Sequence, residues 1–457
     1  MKRLLIAVAL CVSLAGSAHP QSKSNSAVAS RIKAYLVPFV ATGNLTGAIL
    51  VARNGQILFE QAYGMADYTW QIPNSPQTRF HIASVSKPFT AAAILQLQEQ
   101  GRLQVSDPVS RYLPDFPGGD RMTLDNLLTH TSGIPNVNDL EDYDTFVRSP
   151  HTVEQVIAKF AGLPLEFQPG SETRYSNSNY NLLASIIEKV SGQSYQEYLA
   201  THIFAPCGLG ETGHDGNAAQ IIPSSASGYE PFELTGYQKA EYLDWSNKTG
   251  NGSLYSTVGD LFRFDRALDS GKVLSDSTRK RYYVAGEGNR YGWYFRTLEG
   301  HQVMSAKGRA PGFVAELDDF PADGVTIIIL SNSYSTVTQD PIAAGLAAIV
   351  FGSDPKPPAF SLAPMSASEL ASDSGEYQYG PEYFNPNAKF TLRPQAGSLV
   401  QHLGDYQSAL VSIGHDEFIE RRFFGIIKIT RNVEGTVTGL VTRYGTRTFT
   451  APKLDPK

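Results

Sequence analysis

The spacing of apolar and polar positions predicts how the chain begins. An amphipathic pattern across Ala27–Val40 predicts a helix, and two β-rich runs follow it at Thr46–Ala52 and Gln56–Tyr63. The pair Asn54-Gly55 stands between these runs, and Asn-Gly in this setting is the strongest short-range signal of a β-hairpin. A helix and a hairpin are therefore expected first.

The pattern changes in the middle of the chain and then changes back. From about residue 100 to residue 280 it predicts mostly helices. Strand patterns return at Tyr291–Thr297, Gln302–Ala306, Phe313–Asp318 and Val325–Leu330, followed by a predicted helix at Ile342–Phe351. Strands at both ends with helices between them favour an α+β fold, in which helices flank an antiparallel sheet and an all-helical lobe is inserted.

The last part of the chain predicts a second domain. A proline-rich linker at residues 353–366 follows the main domain, which is expected at residues 27–352. Residues 367–457 carry no convincing helix, and short apolar runs alternate with turns at Lys389–Arg393, Ala409–Ile413, Gly425–Thr430 and Thr436–Thr442. This pattern predicts a small all-β barrel or sandwich.

The first 18 residues are expected to lie outside the fold. Lys2 and Arg3 precede an apolar run, Leu4–Leu14, and small residues follow it up to Ala18. This is the layout of a secretory signal peptide, so we expect export to the periplasm or the extracellular space. No later apolar run approaches the ~18 residues that a membrane-spanning helix needs, so no transmembrane anchor is predicted.

Composition excludes several kinds of partner. The chain of 457 residues has a formal net charge of −6 and no basic block, which argues against nucleic acid. None of the nine histidines has a partner within five residues, and the glycine pattern Gly208–Gly213 follows a predicted helix instead of a strand. We therefore expect neither a metal nor a cofactor. Removal of Cys11 with the signal peptide leaves Cys207 without a disulfide partner in the same chain. The sequence does not indicate an oligomeric state.

The strongest chemical signal is a serine and a lysine three residues apart. Ser84 and Lys87 open an apolar helix within the run Phe80–Leu97, so they share one helical face. Free N–H groups at a helix start can stabilise an oxyanion, and burial lowers the pKa of a lysine enough to accept a serine proton. The alternative is an N-cap serine with a surface lysine. The same spacing occurs at Ser30/Lys33 in the predicted amphipathic N-terminal helix and at Ser277/Lys280 in a polar segment. A solvated surface pair is the simpler interpretation of both.

A second candidate group lies in the polar loop Tyr175-Ser176-Asn177. A tyrosine whose pKa is lowered by a nearby ammonium could pass a proton from Ser84 to a leaving group. Asn177 could hold both a substrate carbonyl and the lysine. A structural or exposed tyrosine is the alternative interpretation.

A third candidate segment is Ser305–Phe313. Gly308 allows the main chain to approach a ligand closely, which makes the N–H of Arg309 a candidate oxyanion donor. Lys307 and Arg309 could also attract a substrate carboxylate. The alternative is a charged hairpin edge that prevents aggregation.

Together these segments resemble a known family. The runs FxxASVSKPFT, LLTHTSGIP, YSN before a helix, and GRAPGF are similar to the serine β-lactamase and penicillin-binding-protein family, in its class C-like, D-alanyl-D-alanine carboxypeptidase and esterase branch. The resemblance covers roughly residues 28–350 and implies the β-lactamase/transpeptidase fold. It implies a nucleophile at Ser84, its activator at Lys87, a phenolic base and acid at Tyr175 and a substrate-orienting amide at Asn177. His130 resembles a structural position, and residues 367–457 resemble a lipocalin-like accessory barrel.

One position departs from the family pattern. Where the family has Lys-Thr-Gly or His-x-Gly, this chain has Ala306-Lys307-Gly308, so the first position lacks a cation or an imidazole. The resemblance implies an exported serine hydrolase that cleaves a D-amino-acid peptide, a β-lactam or a small ester through an acyl-enzyme on Ser84, including substrates derived from the cell wall. The alternative is a non-catalytic or slowly deacylating receptor for peptidoglycan fragments or β-lactams.

Overall fold

The computed structural model describes residues 20–283, 288–335, 337–404 and 406–455. The predicted signal peptide at residues 1–18 lies outside the described residues. The predicted α+β class is confirmed, because a seven-stranded antiparallel sheet with helices on both faces is followed by a separate all-β sheet of eight strands.

The central sheet is assembled from distant pieces of the chain, as predicted. In spatial order its strands are Gly288–Arg290, Trp293–Leu298, His301–Ala310, Phe313–Phe320, Val325–Ser331, Gly47–Arg53 and Gln56–Tyr63. Asn54 and Gly55 have φ angles of 51° and 75°, the left-handed conformation that a two-residue type I′ turn requires. The hairpin prediction is therefore confirmed.

Alternation along the strands separates two apolar cores. Ile49 lies in the core on one face, with residues of the helices Pro20–Ala41 and Gln339–Val350. Its neighbour Ala48 lies in the core on the other face, which contains the helix Lys87–Glu99 and the inserted helical lobe. Successive side chains of a strand point to opposite faces, so a hydrophobic strand buried on both sides serves both cores.

The inserted lobe and its surroundings supply most of the remaining elements. The helices are Leu124–Leu128, Tyr143–Phe146, Val153–Phe160, Asn177–Ser191, Tyr195–Leu199, Ala205–Cys207, Val258–Asp269 and Asp276–Tyr282. Short strands form small sheets at Met65–Asp67, Ile72–Pro73, Phe80–His81, Gly213–His214, Tyr229–Phe232, Gly236–Lys239 and Leu254–Ser256. Among the described residues, no helix is both long enough and apolar enough to cross a bilayer. Cys207 is free and buried.

The C-terminal domain is a nearly closed barrel. Its strands pair in sequence order and are Gly375–Gln378, Lys389–Gln395, Ser398–Leu403, Tyr406–Gly414, Glu417–Glu420, Gly425–Arg431, Val437–Tyr444 and Arg447–Pro452. A bridge between Tyr377 and Lys453 brings the first and last strands together. The expectation that this region has no helix is wrong, because the helix Ala367–Asp373 precedes the barrel. Ser366 and Glu369 form a capping box at its start, a short-range signal that the surrounding β-rich pattern conceals.

A buried arginine of the barrel joins the two domains. The side chain of Arg421 is fully buried, and burial lowers its pKa to about 10. Its guanidinium donates hydrogen bonds of 2.7–3.3 Å to the backbone carbonyls of Thr42, Gly43, Phe232, Glu233 and Gly236. One barrel side chain therefore satisfies main-chain groups from two separate segments of the main domain.

Replacing Arg421 with methionine is expected to lower the free energy of unfolding by about 3 kcal/mol or more, because it leaves several buried carbonyls without donors. Chemical denaturation followed by circular dichroism measures the change. Arg393→Met is the matched control, since Arg393 lies exposed on a barrel strand. Equal stability of the two variants would show that Arg421 does not hold the domains together.

Candidate active site

Ser84 lies in a tight turn immediately before a helix. The turn Ala83–Ser86 is a 3₁₀ helix, and the α-helix begins only at Lys87, three residues later than the sequence pattern suggests. Ala83 has a φ of 45°, a left-handed conformation that is uncommon for a residue with a side chain. Such strain persists only where the surrounding structure enforces it, and it is often found at functional sites.

Four predicted side chains meet at this turn. Ser84 Oγ lies 2.9 Å from Lys87 Nζ and 2.8 Å from Tyr175 Oη. Lys87 Nζ donates to Asn177 Oδ1 at 2.8 Å, and Tyr175 Oη donates to the same oxygen at 3.3 Å. The structure thus brings together a hydroxyl, an amine, a phenol and an amide from two segments that are about 90 residues apart.

The surroundings of Lys87 favour its neutral form. Lys87 is 2% exposed, and burial, helped by the positive charge of Lys248, lowers its pKa well below 10.5. Its Nζ also donates to the backbone carbonyl of Asn251 at 2.8 Å. In the neutral amine, two hydrogens satisfy the carbonyls of Asn177 and Asn251, which leaves the lone pair directed at Ser84 Oγ. Lys87 is therefore placed to accept the serine proton.

Tyr175 departs from expectation in the direction of its pKa. Burial raises the pKa of Tyr175 above its ordinary value of 10.0, and the hydrogen bond with Ser84 opposes this only in part. The expectation that a nearby ammonium lowers the pKa of Tyr175 is wrong. Removal from water disfavours the phenolate, and burial of Lys87 also disfavours the ammonium. Tyr175 is therefore a protonated phenol in this site.

His130 packs against Tyr175 and binds the backbone of the loop that carries it. Its ring lies 4.6 Å from the ring of Tyr175, and its Nδ1 accepts the backbone N–H of Ser176 at 3.2 Å. Burial lowers the pKa of His130 to about 3, so the imidazole is neutral. Its contacts fit the structural position that the resemblance implies.

The strand His301–Ala310 touches the serine turn through its backbone. A Cβ on Gly308 would lie 2.1 Å from the carbonyl oxygen of Ile82 and 3.0 Å from the backbone nitrogen of Ser84. Only glycine permits this contact, which agrees with the close approach expected at this position. The N–H of Arg309, one residue later, remains the predicted second oxyanion donor.

Lys307 is placed differently from expectation. Its Nζ forms ion pairs with Glu316 at 3.1 Å and with Asp340 at 2.5 Å. Because side chains alternate along a strand, Lys307 and Arg309 point away from the face on which Gly308 meets the serine turn. The structure therefore does not bring the Lys307 ammonium to Ser84, and Ala306 leaves its position without a charge.

The sequence patterns do not reveal Asn251 or Lys248. Asn251 acts through its backbone carbonyl, for which no side-chain signal exists. The turn that carries it depends on Gly250, whose φ is 84° and where a Cβ would lie 2.2 Å from the carbonyl oxygen of Tyr180. A glycine between polar residues marks a turn, but it does not tell which carbonyl the turn presents.

A cleft of about 1090 Å³ lies between the main domain and the barrel. On the main-domain side the cleft is lined by residues that include Arg148, Glu241 and Arg309. On the barrel side it is lined by aromatic residues that include Tyr406 and Phe423. The serine, lysine, tyrosine and asparagine that meet in the candidate site are not among the residues that line this cleft.

Comparisons with known proteins agree with this geometry. A family model described as Beta-lactamase matches residues 32–350. The chain is 37% identical over 292 residues to the putative penicillin-binding protein PbpX of Bacillus subtilis strain 168, which covers 62% of this chain and 70% of that protein.

Solved structures show the same fold. A penicillin-binding protein from Bacillus halodurans superposes with a TM-score of 0.61 at 26% identity, covering 70% of this chain and 98% of that one. A D-amino acid amidase from Ochrobactrum anthropi SV3 superposes with a TM-score of 0.62, covering 71% of this chain and 99% of that one, and at 21% identity it supports the fold alone. Since the family model spans most of the main domain, this chain belongs to the β-lactamase family.

Proposed function

We propose that this protein is an exported serine hydrolase that cleaves an ester or amide through an acyl-enzyme on Ser84. The observation that carries the proposal is the position of Ser84 Oγ, within 2.9 Å of both Lys87 Nζ and Tyr175 Oη. A serine becomes nucleophilic only beside a base, and a buried neutral amine is such a base. The predicted signal peptide supports export.

The contacts support an acylation step in which each proton has a donor and an acceptor. As Ser84 Oγ bonds to the substrate carbonyl carbon, its proton passes to the neutral amine of Lys87. The carbonyl oxygen gains the negative charge, and the N–H groups of Ser84 and Arg309 stabilise it. The bond from carbon to the leaving nitrogen or oxygen then breaks and leaves an ester on Ser84.

Tyr175 supplies the proton for the leaving group. Its phenol lies 2.8 Å from Ser84 Oγ and stays protonated, so it donates to the leaving atom and regains a proton from the Lys87 ammonium. Water then attacks the ester while the same proton transfers run in the opposite direction. This step releases the product and restores Ser84. Asn177 orients the amine throughout, because its amide nitrogen is itself fixed by Asn138 Oδ1 at 3.0 Å.

The substrate class is supported by the relatives. The relative from Bacillus subtilis and the solved structure from Bacillus halodurans are both named as penicillin-binding proteins, and that name points to amide carbonyls. We propose a D-amino-acid peptide, a β-lactam or a small ester as substrate, with cell-wall fragments among the candidates. The receptor alternative rests on Ala306, which leaves the site without the usual cation of the family.

Covalent labelling tests the proposal. A fluorophosphonate probe is expected to add to the wild-type protein on Ser84, as located by peptide mass spectrometry, and not to the Ser84→Ala protein. Ser277→Ala is the matched control and should label like the wild type, because Ser277 has the same spacing to a lysine on a polar helix. Equal labelling of the Ser84→Ala protein would refute the proposal. Repeated turnover of a p-nitrophenyl ester separates the hydrolase from the slowly deacylating receptor.

A further inference from the structure

A second buried lysine, Lys248, lies near Lys87 and takes no part in the proposed reaction. Lys248 ends the 3₁₀ turn Trp245–Lys248 and is 8% exposed. Its Nζ donates to the hydroxyl of Tyr143 and lies 4.9 Å from the centre of that ring. Within the part of the chain that the structure describes, no carboxylate lies within ion-pair distance of this ammonium.

Lys248 lies at the wall of the site. Gly252 separates it from the serine turn, since a Cβ there would lie 3.5 Å from the carbonyl carbon of Ala83 and 3.6 Å from Lys248 Cβ. Its partner Tyr143 packs on an apolar cluster that contains both Ala83 and Ala310. Ala83 precedes the nucleophile and Ala310 follows the predicted oxyanion donor, so the lysine and its tyrosine flank the place where a substrate carbonyl would bind.

A buried cation without an anion is unusual in proteins. Transfer of an ammonium from water into a protein interior costs free energy unless a counter-charge is present. The ionic state of Lys248 is consistent with such a cost, because burial lowers its pKa to about 8, which still leaves most of the lysine charged at pH 7. Lys307, in contrast, is held by two carboxylates on the other face of the sheet.

We propose that Lys248 binds a carboxylate of the substrate, so that the enzyme prefers esters and amides that carry a free carboxylate close to the scissile bond. This inference rests on the proposed acyl-enzyme at Ser84 and names the substrate class of the same site. A substrate carboxylate completes the missing ion pair with a charge-assisted hydrogen bond, which a neutral substrate cannot form. Lys248 thereby provides, from a different element, the charge that Ala306 lacks.

Two matched pairs of esters test the proposal. The first pair, p-nitrophenyl hydrogen glutarate and its methyl ester, differs by a carboxylate in the acyl group. The second pair, the m-carboxyphenyl and m-(methoxycarbonyl)phenyl esters of phenylacetylglycine, differs by a carboxylate in the leaving group. In at least one pair the wild-type kcat/KM for release of the phenol is expected to favour the carboxylate member by about tenfold or more.

The variant Lys248→Met is expected to remove this preference, and Lys248→Arg to restore part of it. Methionine keeps the volume and removes an unpaired buried charge, so the unfolding midpoint of Lys248→Met should rise by about 2 °C. A merely structural lysine would give the opposite shift.

Lys307→Met is the control variant. Its loss removes the ion pair with Asp340 and one of the two cations beside the buried Glu316, which keeps Arg296 at 3.0 Å. The unfolding midpoint should therefore fall while the preference for the carboxylate member persists. The proposal is overturned if the wild type shows no preference in either pair, or if Lys248→Met keeps it. A failure of Ser84 as nucleophile is recognised separately, because the Ser84→Ala protein would then still release both phenols.

Discussion

Replacing Lys87 with methionine is expected to lower kcat/KM for an activated ester by about 10⁴-fold, the upper end of what a general base contributes. The reason is geometric, because Lys87 Nζ is 2.9 Å from Ser84 Oγ and two carbonyls direct its lone pair there. Steady-state kinetics with p-nitrophenyl acetate measures the loss.

The pH dependence should carry the same signature. The amine accepts a proton only when it is neutral, so activity is lost as the pH falls through the lowered pKa of Lys87. This acid limb is expected to lie well below 10.5 and to be absent from the residual activity of Lys87→Met.

Lys280→Met is the matched control for this substitution. Ser277 and Lys280 have the same spacing, but Lys280 is 72% exposed and pairs with Asp276 at 2.6 Å. Its replacement should leave kcat/KM unchanged, since Lys280 is exposed to solvent and forms its ion pair with Asp276 outside the candidate site. A Lys87→Met enzyme within tenfold of the wild type would assign the proton of Ser84 to another base.

Local sequence patterns can predict the groups of the site but not their electrostatics. The pairing of Ser84 with Lys87 follows from helical spacing, and the glycine contact follows from a residue type that tolerates close approach. The predicted direction of the Tyr175 pKa is wrong because burial depends on distant segments, such as the one that carries His130. The amount of water around a hydroxyl is a tertiary property, and a motif does not encode it.

The misplacement of Lys307 has a different physical cause. Once Gly308 is assigned to the face of the serine turn, strand alternation sends both neighbours to the opposite face. That step needs the strand to run through residue 310, whereas the sequence pattern ends it at Ala306. Because the predicted strand is too short, the sequence pattern does not reveal that the Lys307 ammonium lies on the face opposite the serine turn. Lys248 gives no sequence signal because its site is formed by contacts with Tyr143 that no local pattern contains.

The substitution Gly308→Ala is expected to lower kcat/KM by about 10²- to 10³-fold, the effect of losing one oxyanion donor. The new Cβ would lie 2.1 Å from the carbonyl oxygen of Ile82, and both are fixed by the backbone, so the strand must move away from the serine turn. That movement carries the N–H of Arg309 away from the substrate oxygen while Lys87 and Tyr175 keep their contacts with Ser84.

A second measurement separates this effect from misfolding. Overpacking should cost about 1–3 kcal/mol of stability, which denaturation measures, and the kinetics are recorded at a temperature where the variant is folded. Gly414→Ala is the matched control, because a Cβ added at this strand glycine would meet no atom within 4 Å beyond its chain neighbours and should alter neither quantity. If folded Gly308→Ala keeps the wild-type kcat/KM, the strand His301–Ala310 does not supply the oxyanion donor, and the negative charge must be stabilised by the serine turn alone.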